Sequence, residues 1–170
     1  VVDGATFTLK VSDPQESIDS VLLENAALLH IEQAAPEIPA PRVTSTINGE
    51  TIVPIALDDG RYLRLLTYLE GTPLSSVALL SRALRQTIGR SVANLDNALS
   101  AFDHAYAHER DLIWDVKNIS RLQAHLRLID ADRRPLAQAM LDRFETVALP
   151  KIAQLPTQAV HSDMNGQNIL

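Results

Sequence analysis

Cysteine is absent from the 170 residues, which excludes disulfide scaffolds and thiolate-bound metal sites. Glycine and proline are few, at 6 and 9 residues, so the composition is not that of a disordered or fibrous chain. Long hydrophobic runs are also lacking, because stretches such as 76–80 fall far short of the roughly 18 residues that span a bilayer. We therefore expect a soluble globular protein with no membrane partner, and the lack of cysteine fits a cytoplasmic location.

The net charge is −6, from 15 Lys and Arg against 21 Asp and Glu. Non-specific binding to nucleic acid needs clustered basic residues, so we expect no nucleic-acid partner. An acidic protein would suit a cationic ligand, but mild acidity is too common among proteins to indicate the charge of the ligand. The chain begins with Val1 instead of Met, and we expect the natural start to lie upstream.

The first part of the chain predicts strands around one helix. Residues 5–11 alternate polar and apolar side chains, which indicates a half-buried strand. Asp13, with Glu16 three residues later, is typical of a helix N-cap and capping box, so a helix should run from about 14 to about 34. Three more strands are predicted at 43–47, 51–57 and 62–69, with turns at Asn48–Gly49 and Asp58–Gly60.

The second part of the chain predicts helices. Apolar residues at helical spacing indicate a long helix over about 79–103 and two others near 118–130 and 133–149. The fold class is therefore α+β. A boundary near residue 70 divides a strand-rich part, 1–70, from a helical part, 71–170.

The end of the chain carries the most specific chemical pattern. His161, Asp163 and Asn168 have the spacing H-x-D-x-x-x-x-N, which is typical of the catalytic loop of kinase-like phosphotransferases. The Asp163 carboxylate can take the proton of an attacking hydroxyl, and the Asn168 amide oxygen is a hard ligand suited to Mg²⁺. His161 would brace the loop. The alternative is a solvated turn rich in Asp, Asn and Gly.

The same chemistry needs a cation for the nucleotide phosphates, fixed by a carboxylate from a neighbouring helix. Lys10 near the end of the first predicted strand and Glu24 in the middle of the next helix occur in the required order. Glu16 and Glu32 are rival partners on the same helix. Taken singly, a strand lysine is usually a solvated edge charge and a helix glutamate usually lies on the surface.

Residues 65–71 connect the strand-rich part to the helical part. An extended apolar strand that runs into a linker offers a nucleotide base an apolar slot and backbone hydrogen-bonding groups. An inner strand of the sheet would have the same sequence, and the two interpretations are compatible.

Trp114, Asp115 and Lys117 form a second polar and aromatic group. The indole face and the carboxylate could hold a substrate ammonium, and Lys117 could hold a substrate carboxylate. In the alternative interpretation, Trp114 anchors the loop between two helices and Asp115 caps the helix that follows.

Lys10, Glu24, the 65–71 segment and the 161–168 loop occur in the order found in aminoglycoside phosphotransferases, choline kinases and related enzymes, and the chain resembles this family. Within the family it looks most like the hydroxylysine kinases and their bacterial relatives. That closer similarity is carried by residues 65–74, 110–118 and the terminal loop.

The resemblance implies a two-lobed, protein-kinase-like fold, truncated at both ends, whose first lobe binds the nucleotide. It implies Mg²⁺-dependent transfer of the γ-phosphoryl group of ATP or GTP to a hydroxyl of an amino alcohol or hydroxy amino acid such as hydroxylysine. Asp163 maps onto the catalytic base, Asn168 onto a metal ligand, and Lys10 with Glu24 onto the phosphate-binding pair. The adenine-facing hinge maps onto Thr67, Tyr68 and Leu69.

Other acceptors stay open, namely homoserine, choline or an aminoglycoside. A nucleotide-binding pseudokinase and a helical interaction module are the alternatives from other classes. Some relatives are fused to a class III aminotransferase, so the resemblance allows for further domains in a full-length protein.

The chain departs from the family in two respects. Ser162 stands where these kinases usually carry Gly, and serine should be tolerated there unless the backbone needs a positive φ. The family also has a second metal-binding Asp after the catalytic loop and a phosphate-covering loop before the lysine strand, and neither is within these residues. We expect a fragment of a longer polypeptide, with little phosphotransfer on its own, in preference to a non-catalytic remnant.

Overall fold

A computed structural model describes residues 4–55 and 60–170. The chain divides into two units, Val1–His108 together with Gln158–Leu170, and Glu109–Thr157. The lobes predicted at 1–70 and 71–170 are a different division and stay a prediction. Within the described residues, no helix is long and apolar enough to cross a membrane.

The first unit contains a four-stranded antiparallel sheet centred on β4 (Tyr62–Thr67). Strand β1 (Phe7–Val11) pairs along one edge of β4, while the short strands β2 (Val43–Thr44) and β3 (Val53–Pro54) pair with β4 on its other edge. The strands predicted at 5–11 and 62–69 and the α+β class are thus confirmed.

The connection between β2 and β3 differs from the predicted hairpin. Each strand pairs with β4 and, in the described residues, not with the other. The turn at Asn48–Gly49 does form, with Gly49 at a φ of 85°. Both strands lie against β4 because its edge would otherwise keep unpaired backbone groups. The end of the strand predicted at 51–57 and most of the Asp58–Gly60 turn fall on residues 56–59, outside the described residues.

Helix α1 (Ile18–Ala34) begins four residues later than predicted. Its N-cap is Ser17, whose Oγ accepts a hydrogen bond from the Ser20 N–H at 3.2 Å. The Asp13 carboxylate instead accepts from the Gln15 N–H at 2.8 Å, so it closes a turn before the helix. The predicted N-cap at Asp13 was wrong. Asp13 and Ser17 can both accept a hydrogen bond from a backbone N–H near the helix start, and Ser17 is the one directly before the first helical turn.

Helix α2 (Arg82–Leu99) lies within the predicted 79–103 range, and the short α3 (Ala105–Glu109) follows it. Helices α1 and α2 meet where His30 Nε2 lies 3.0 Å from the Ala98 carbonyl oxygen. This contact holds α1 beside α2 in the first unit.

The second unit is helical. It contains a 3₁₀-helix (Val116–Leu128), α4 (Arg134–Arg143), a π-helical turn (Phe144–Ala148) and α5 (Leu149–Ile152). Helix is therefore confirmed where two helices were predicted. The first of them takes the tighter 3₁₀ form, and the second is interrupted by the π turn.

Candidate functional site

The terminal loop is fixed by backbone contacts to the residues that follow β4. The Leu74 N–H donates to the Ile169 carbonyl and the Ser75 N–H donates to the Gly166 carbonyl, both at 2.8 Å. A Cβ atom on Gly166 would lie 3.0 Å from the Ser75 backbone nitrogen. Two backbones therefore meet at a spacing that only glycine fits without a shift, and Gly166 is a residue that the sequence prediction missed.

Asp163 lies at the centre of a polar network inside this loop. Its Oδ1 accepts from Asn165 Nδ2 at 2.7 Å, and its Oδ2 accepts from Asn168 Nδ2 at 2.9 Å. The Asp163 N–H donates to His161 Nδ1 at 3.3 Å, which fits the bracing role predicted for His161. The loop thus brings the three predicted residues together, and Asn165 orients the same carboxylate. The sequence pattern at 161–168 does not include position 165, so it could not predict the hydrogen bond between Asn165 and Asp163.

The Asn168 side chain presents its two ends differently. Its Nδ2 donates to the Asp163 carboxylate and carbonyl, whereas its Oδ1 accepts no hydrogen bond from the described residues. An amide oxygen in an exposed loop is a hard ligand that could hold Mg²⁺. No group of three or more His, Asp or Glu side chains that could hold a metal occurs in residues 4–55 and 60–170.

Ser162 has a φ of 63°, in the left-handed region that disfavours any residue with a Cβ. Of the non-glycine residues in the described part of the chain, it alone has a positive φ. The condition under which serine would not be well tolerated is therefore met. The loop carries backbone strain at the position where the family usually has glycine.

A pocket of about 300 Å³ lies in the first unit between β1, β4 and α1. Lys10 and Arg64 face each other across the β1–β4 ladder, so both side chains point to the same side of the sheet. Glu24 and Glu16 reach the pocket from α1 and the turn before it. Glu32 is not among the lining residues.

Glu24 forms its ion pair with Arg64, not with Lys10 as the sequence predicted. The reason is burial. The Arg64 side chain is 8% exposed, and a buried guanidinium without a partner is far more costly than the solvated ammonium of the exposed Lys10. Assignment of Lys10 and Glu24 to the nucleotide phosphates stays a prediction.

Asn25 completes the contacts of Arg64. It is 2% exposed, its Oδ1 accepts from Arg64 Nη1 at 3.1 Å, and its Nδ2 donates to the Thr51 carbonyl at 3.1 Å. Sequence analysis gave neither Asn25 nor Arg64 a role in this pocket. The available signal was a single charged residue inside the apolar strand Tyr62–Thr67.

The predicted hinge, Thr67 to Leu69, begins where β4 ends. The Thr67 N–H donates to the Arg42 carbonyl at 2.9 Å, and the Tyr68 N–H donates to the Thr6 carbonyl at 3.1 Å. The Leu69 N–H has no partner among the described residues. The assignment of Thr67, Tyr68 and Leu69 to a nucleotide-binding hinge stays a prediction.

Trp114, Asp115 and Lys117 belong to the second unit. Asp115 caps the 3₁₀-helix, accepting from the Lys117 N–H at 2.9 Å, and its carboxylate also lies 3.2 Å from Lys117 Nζ. The backbone N–H and then the ammonium of Lys117 lower the pKa of Asp115. The capping alternative is thus confirmed for Asp115. Trp114 is 67% exposed, so it does not anchor the loop by packing, and substrate contact by this group stays a prediction.

The sequence matches the family described as phosphotransferase enzyme family along residues 1–170. It is similar to proteins named hydroxylysine kinase. The one from Mus musculus is 31% identical over 99% of this chain and 47% of the relative. Those from Xenopus laevis and Bos taurus are each 28% identical, over 96% and 95% of this chain and 46% and 45% of the relative. The chain spans about half the length of the curated relatives it matches.

Proposed function

The chain belongs to the phosphotransferase enzyme family, and on this premise we propose that it is part of a small-molecule kinase with a protein-kinase-like, two-lobed fold. The reaction transfers the γ-phosphoryl group of ATP or GTP to a hydroxyl of an amino alcohol or hydroxy amino acid. The observation that carries this proposal is the terminal loop, where both oxygens of the Asp163 carboxylate are oriented by asparagine amides.

In the proposed reaction the acceptor hydroxyl donates a hydrogen bond to Asp163. The hydroxyl oxygen forms a bond to the γ-phosphorus, the bond from that phosphorus to the β–γ bridging oxygen breaks, and the proton passes to the Asp163 carboxylate. His161 holds the backbone at this position. Mg²⁺ bound by the Asn168 amide oxygen would neutralise charge on the phosphates.

The nucleotide is proposed to use the first unit. Lys10, which is exposed and lines the 300 Å³ pocket, supplies a cation for the phosphates. The hinge residues Thr67, Tyr68 and Leu69 accept the base, with the Leu69 N–H as donor to a ring nitrogen. Glu24 lies beside the phosphate site, held by Arg64.

An acceptor of the hydroxylysine type is supported by the names of the relatives. The ion pair of half-buried Asp115 with exposed Lys117 has the two charges that an amino acid's ammonium and carboxylate would match, and the Trp114 face would contact the substrate ammonium. Homoserine would use the same pair. Choline and aminoglycosides lack a carboxylate and would leave Lys117 without a substrate partner.

The test uses the natural full-length polypeptide with Mg²⁺–ATP, Mg²⁺–GTP and hydroxylysine, beside Asp163→Asn. Ligand at 100 times its dissociation constant should stabilise the folded state by about 2.7 kcal/mol. We expect a nucleotide-dependent rise in Tm for wild type and Asp163→Asn alike, with turnover lost by at least about 10³-fold only in the variant.

The matched control is Asp132→Asn, an exposed aspartate in the second unit that should keep full turnover. A nucleotide-dependent rise in Tm without turnover on any amino alcohol would favour the pseudokinase alternative. No rise with either nucleotide would refute the kinase proposal.

A further inference from the structure

A short turn follows the predicted hinge directly, and we call its residues, 71–77, the post-hinge turn. It contains a one-turn 3₁₀-helix, Leu74–Ser76. The first N–H groups of a helix have no acceptor within that helix. The N–H groups of Leu74 and Ser75 therefore need acceptors from another part of the chain.

These acceptors are carbonyls of the terminal loop and of the residue that follows it. The Leu74 N–H donates to the Ile169 carbonyl at 2.8 Å. The Ser75 N–H donates to the Gly166 carbonyl, also at 2.8 Å. Both segments belong to the first unit. Because the two carbonyls lie on either side of Asn168 in the chain, the post-hinge turn fixes the backbone before and after that residue.

Two glycines show how closely the turn and the loop approach each other. A Cβ atom on Gly71 would lie 2.8 Å from the Leu170 Cβ, and a Cβ atom on Gly166 would lie 3.0 Å from the Ser75 nitrogen. Both distances are shorter than an ordinary van der Waals contact. The turn and the loop are therefore packed backbone against backbone at both ends of their contact.

Asn168 connects this fixed backbone to Asp163. Its Nδ2 donates to the Asp163 carboxylate at 2.9 Å and to the Asp163 carbonyl at 2.8 Å, and its N–H donates to the Asn165 carbonyl at 3.1 Å. Ser162, next to Asp163, has a φ of 63°, and a strained backbone persists only where its surroundings fix it. Loss of a contact beside Asn168 would let this strain relax and would turn the carboxylate.

We propose that the post-hinge turn is a positioning element for phosphoryl transfer, in which the Leu74 and Ser75 N–H groups hold the terminal loop and thereby the Asp163 carboxylate. The inference rests on the proposed function. Leu74 and Ser75 are positioning residues, because they act through the loop and the proton of the acceptor hydroxyl goes to Asp163. Since the turn directly follows the predicted hinge, one short segment would link the nucleotide-binding residues to the carboxylate that takes the proton.

The test variant is Leu74→Pro, which removes one of the two bonds that hold the loop. Proline has no N–H and is favoured at the first position of a helix. It requires an extended residue before it, and Pro73 is extended, with a ψ of 135°. The carbonyl at position 74, which accepts from the Val77 N–H at 3.0 Å, is kept. Leu74→Ala is the matched control, because it loses the same side chain but keeps the N–H.

The natural full-length polypeptide is assayed with Mg²⁺–ATP and Mg²⁺–GTP, and with hydroxylysine and homoserine as acceptors. The quantities measured are kcat, the nucleotide Kd by calorimetry, and Tm. Leu74→Pro should have a kcat about 10- to 100-fold below that of Leu74→Ala, because misplacement of a reacting group by about 1 Å costs up to about 100-fold. The nucleotide Kd should differ by less than about twofold between the two variants. Their Tm values should be similar, because proline restricts the unfolded chain and so offsets the lost hydrogen bond.

Equal kcat values for Leu74→Pro and Leu74→Ala would overturn the proposal. A loss confined to the nucleotide Kd would overturn it too, since the bond would then serve nucleotide binding. If Leu74→Pro does not fold, Gly166→Ala takes its place, because its Cβ would displace the same two backbones, and Gly89→Ala, with open space around the new Cβ, is its control. Absence of turnover by wild type on either acceptor would refute the proposed function itself, and this inference with it. Turnover by wild type with equal kcat in the two Leu74 variants would refute this inference alone.

Discussion

Replacing Ser162 by glycine should stabilise the protein, although a serine-to-glycine change usually does the reverse. The φ of 63° at Ser162 places its Cβ against the following carbonyl, which costs about 1–2 kcal/mol for a residue other than glycine. Glycine removes this strain but adds about 0.5–1 kcal/mol of unfolded-state entropy. The side chain gives up little, because its contact with the Val160 carbonyl is 3.5 Å long and exposed.

The net expectation is a gain of about 0.5–1 kcal/mol in the free energy of unfolding for Ser162→Gly. Chemical denaturation measures it as a rise in the midpoint with an unchanged m-value. Two controls isolate the cause. Ser162→Ala keeps the strain and should show almost no gain, while Ser91→Gly, within α2, should cost about 0.5 kcal/mol.

Destabilisation by Ser162→Gly equal to that of Ser91→Gly would refute the reasoning, because it would mean that the native backbone at Ser162 has an ordinary negative φ. An equal gain from Ser162→Ala would instead assign the effect to the hydroxyl. The first outcome differs from the prediction in the sign of the Ser162→Gly midpoint shift, and the second differs in the size of the Ser162→Ala shift.

Asp115→Ala should cost about 1 kcal/mol through loss of the 3₁₀-helix cap. Since the pKa of Asp115 is lowered from its usual value of 3.8, its stabilisation is present above that pH and is lost as the pH falls through the folded-state pKa, so wild type and variant should converge in acid titrations of stability. Gly166→Ala should destabilise by about 1–3 kcal/mol through overpacking against the neighbouring backbone, whereas Gly89→Ala, with nothing within 4 Å of the new Cβ, should stabilise α2 by about 0.5–1 kcal/mol in the same denaturation assay. Asn25→Ala should cost about 2–3 kcal/mol because it leaves the buried Arg64 guanidinium and the part-buried Thr51 carbonyl each without a hydrogen-bond partner. Exposed Asn94→Ala should change the unfolding free energy by less than about 0.5 kcal/mol.

Much of the local structure could be predicted from the sequence. Alternation at 5–11 predicted β1, and apolar spacing predicted α2, because the period of the side chains is a property of the chain itself. The H-x-D-x-x-x-x-N pattern at 161–168 could be identified because it is a fixed spacing of residue types, and its catalytic role stays a prediction. Even here the start of α1 was wrong, because Asp13 and Ser17 both satisfy the rules for a cap.

Contacts between distant residues could not be predicted in the same way. The pairing of β2 and β3 with β4 depends on which edge is open, and the Asn165 contact with Asp163 depends on the path of the loop. The residue pattern around Ser162 does not indicate that its backbone has a positive φ.

The sequence by itself determined the residue types, the order of the main elements and the H-x-D-x-x-x-x-N spacing at 161–168, because these depend on local propensity and on the chemistry of single side chains. Tertiary structure decided which acidic and basic side chains form ion pairs. Glu24 had a candidate partner in Lys10 by order along the chain, but burial made Arg64 the cation that must be neutralised. The free energy of a buried charge depends on the surroundings that the whole fold supplies, and no local pattern contains that information.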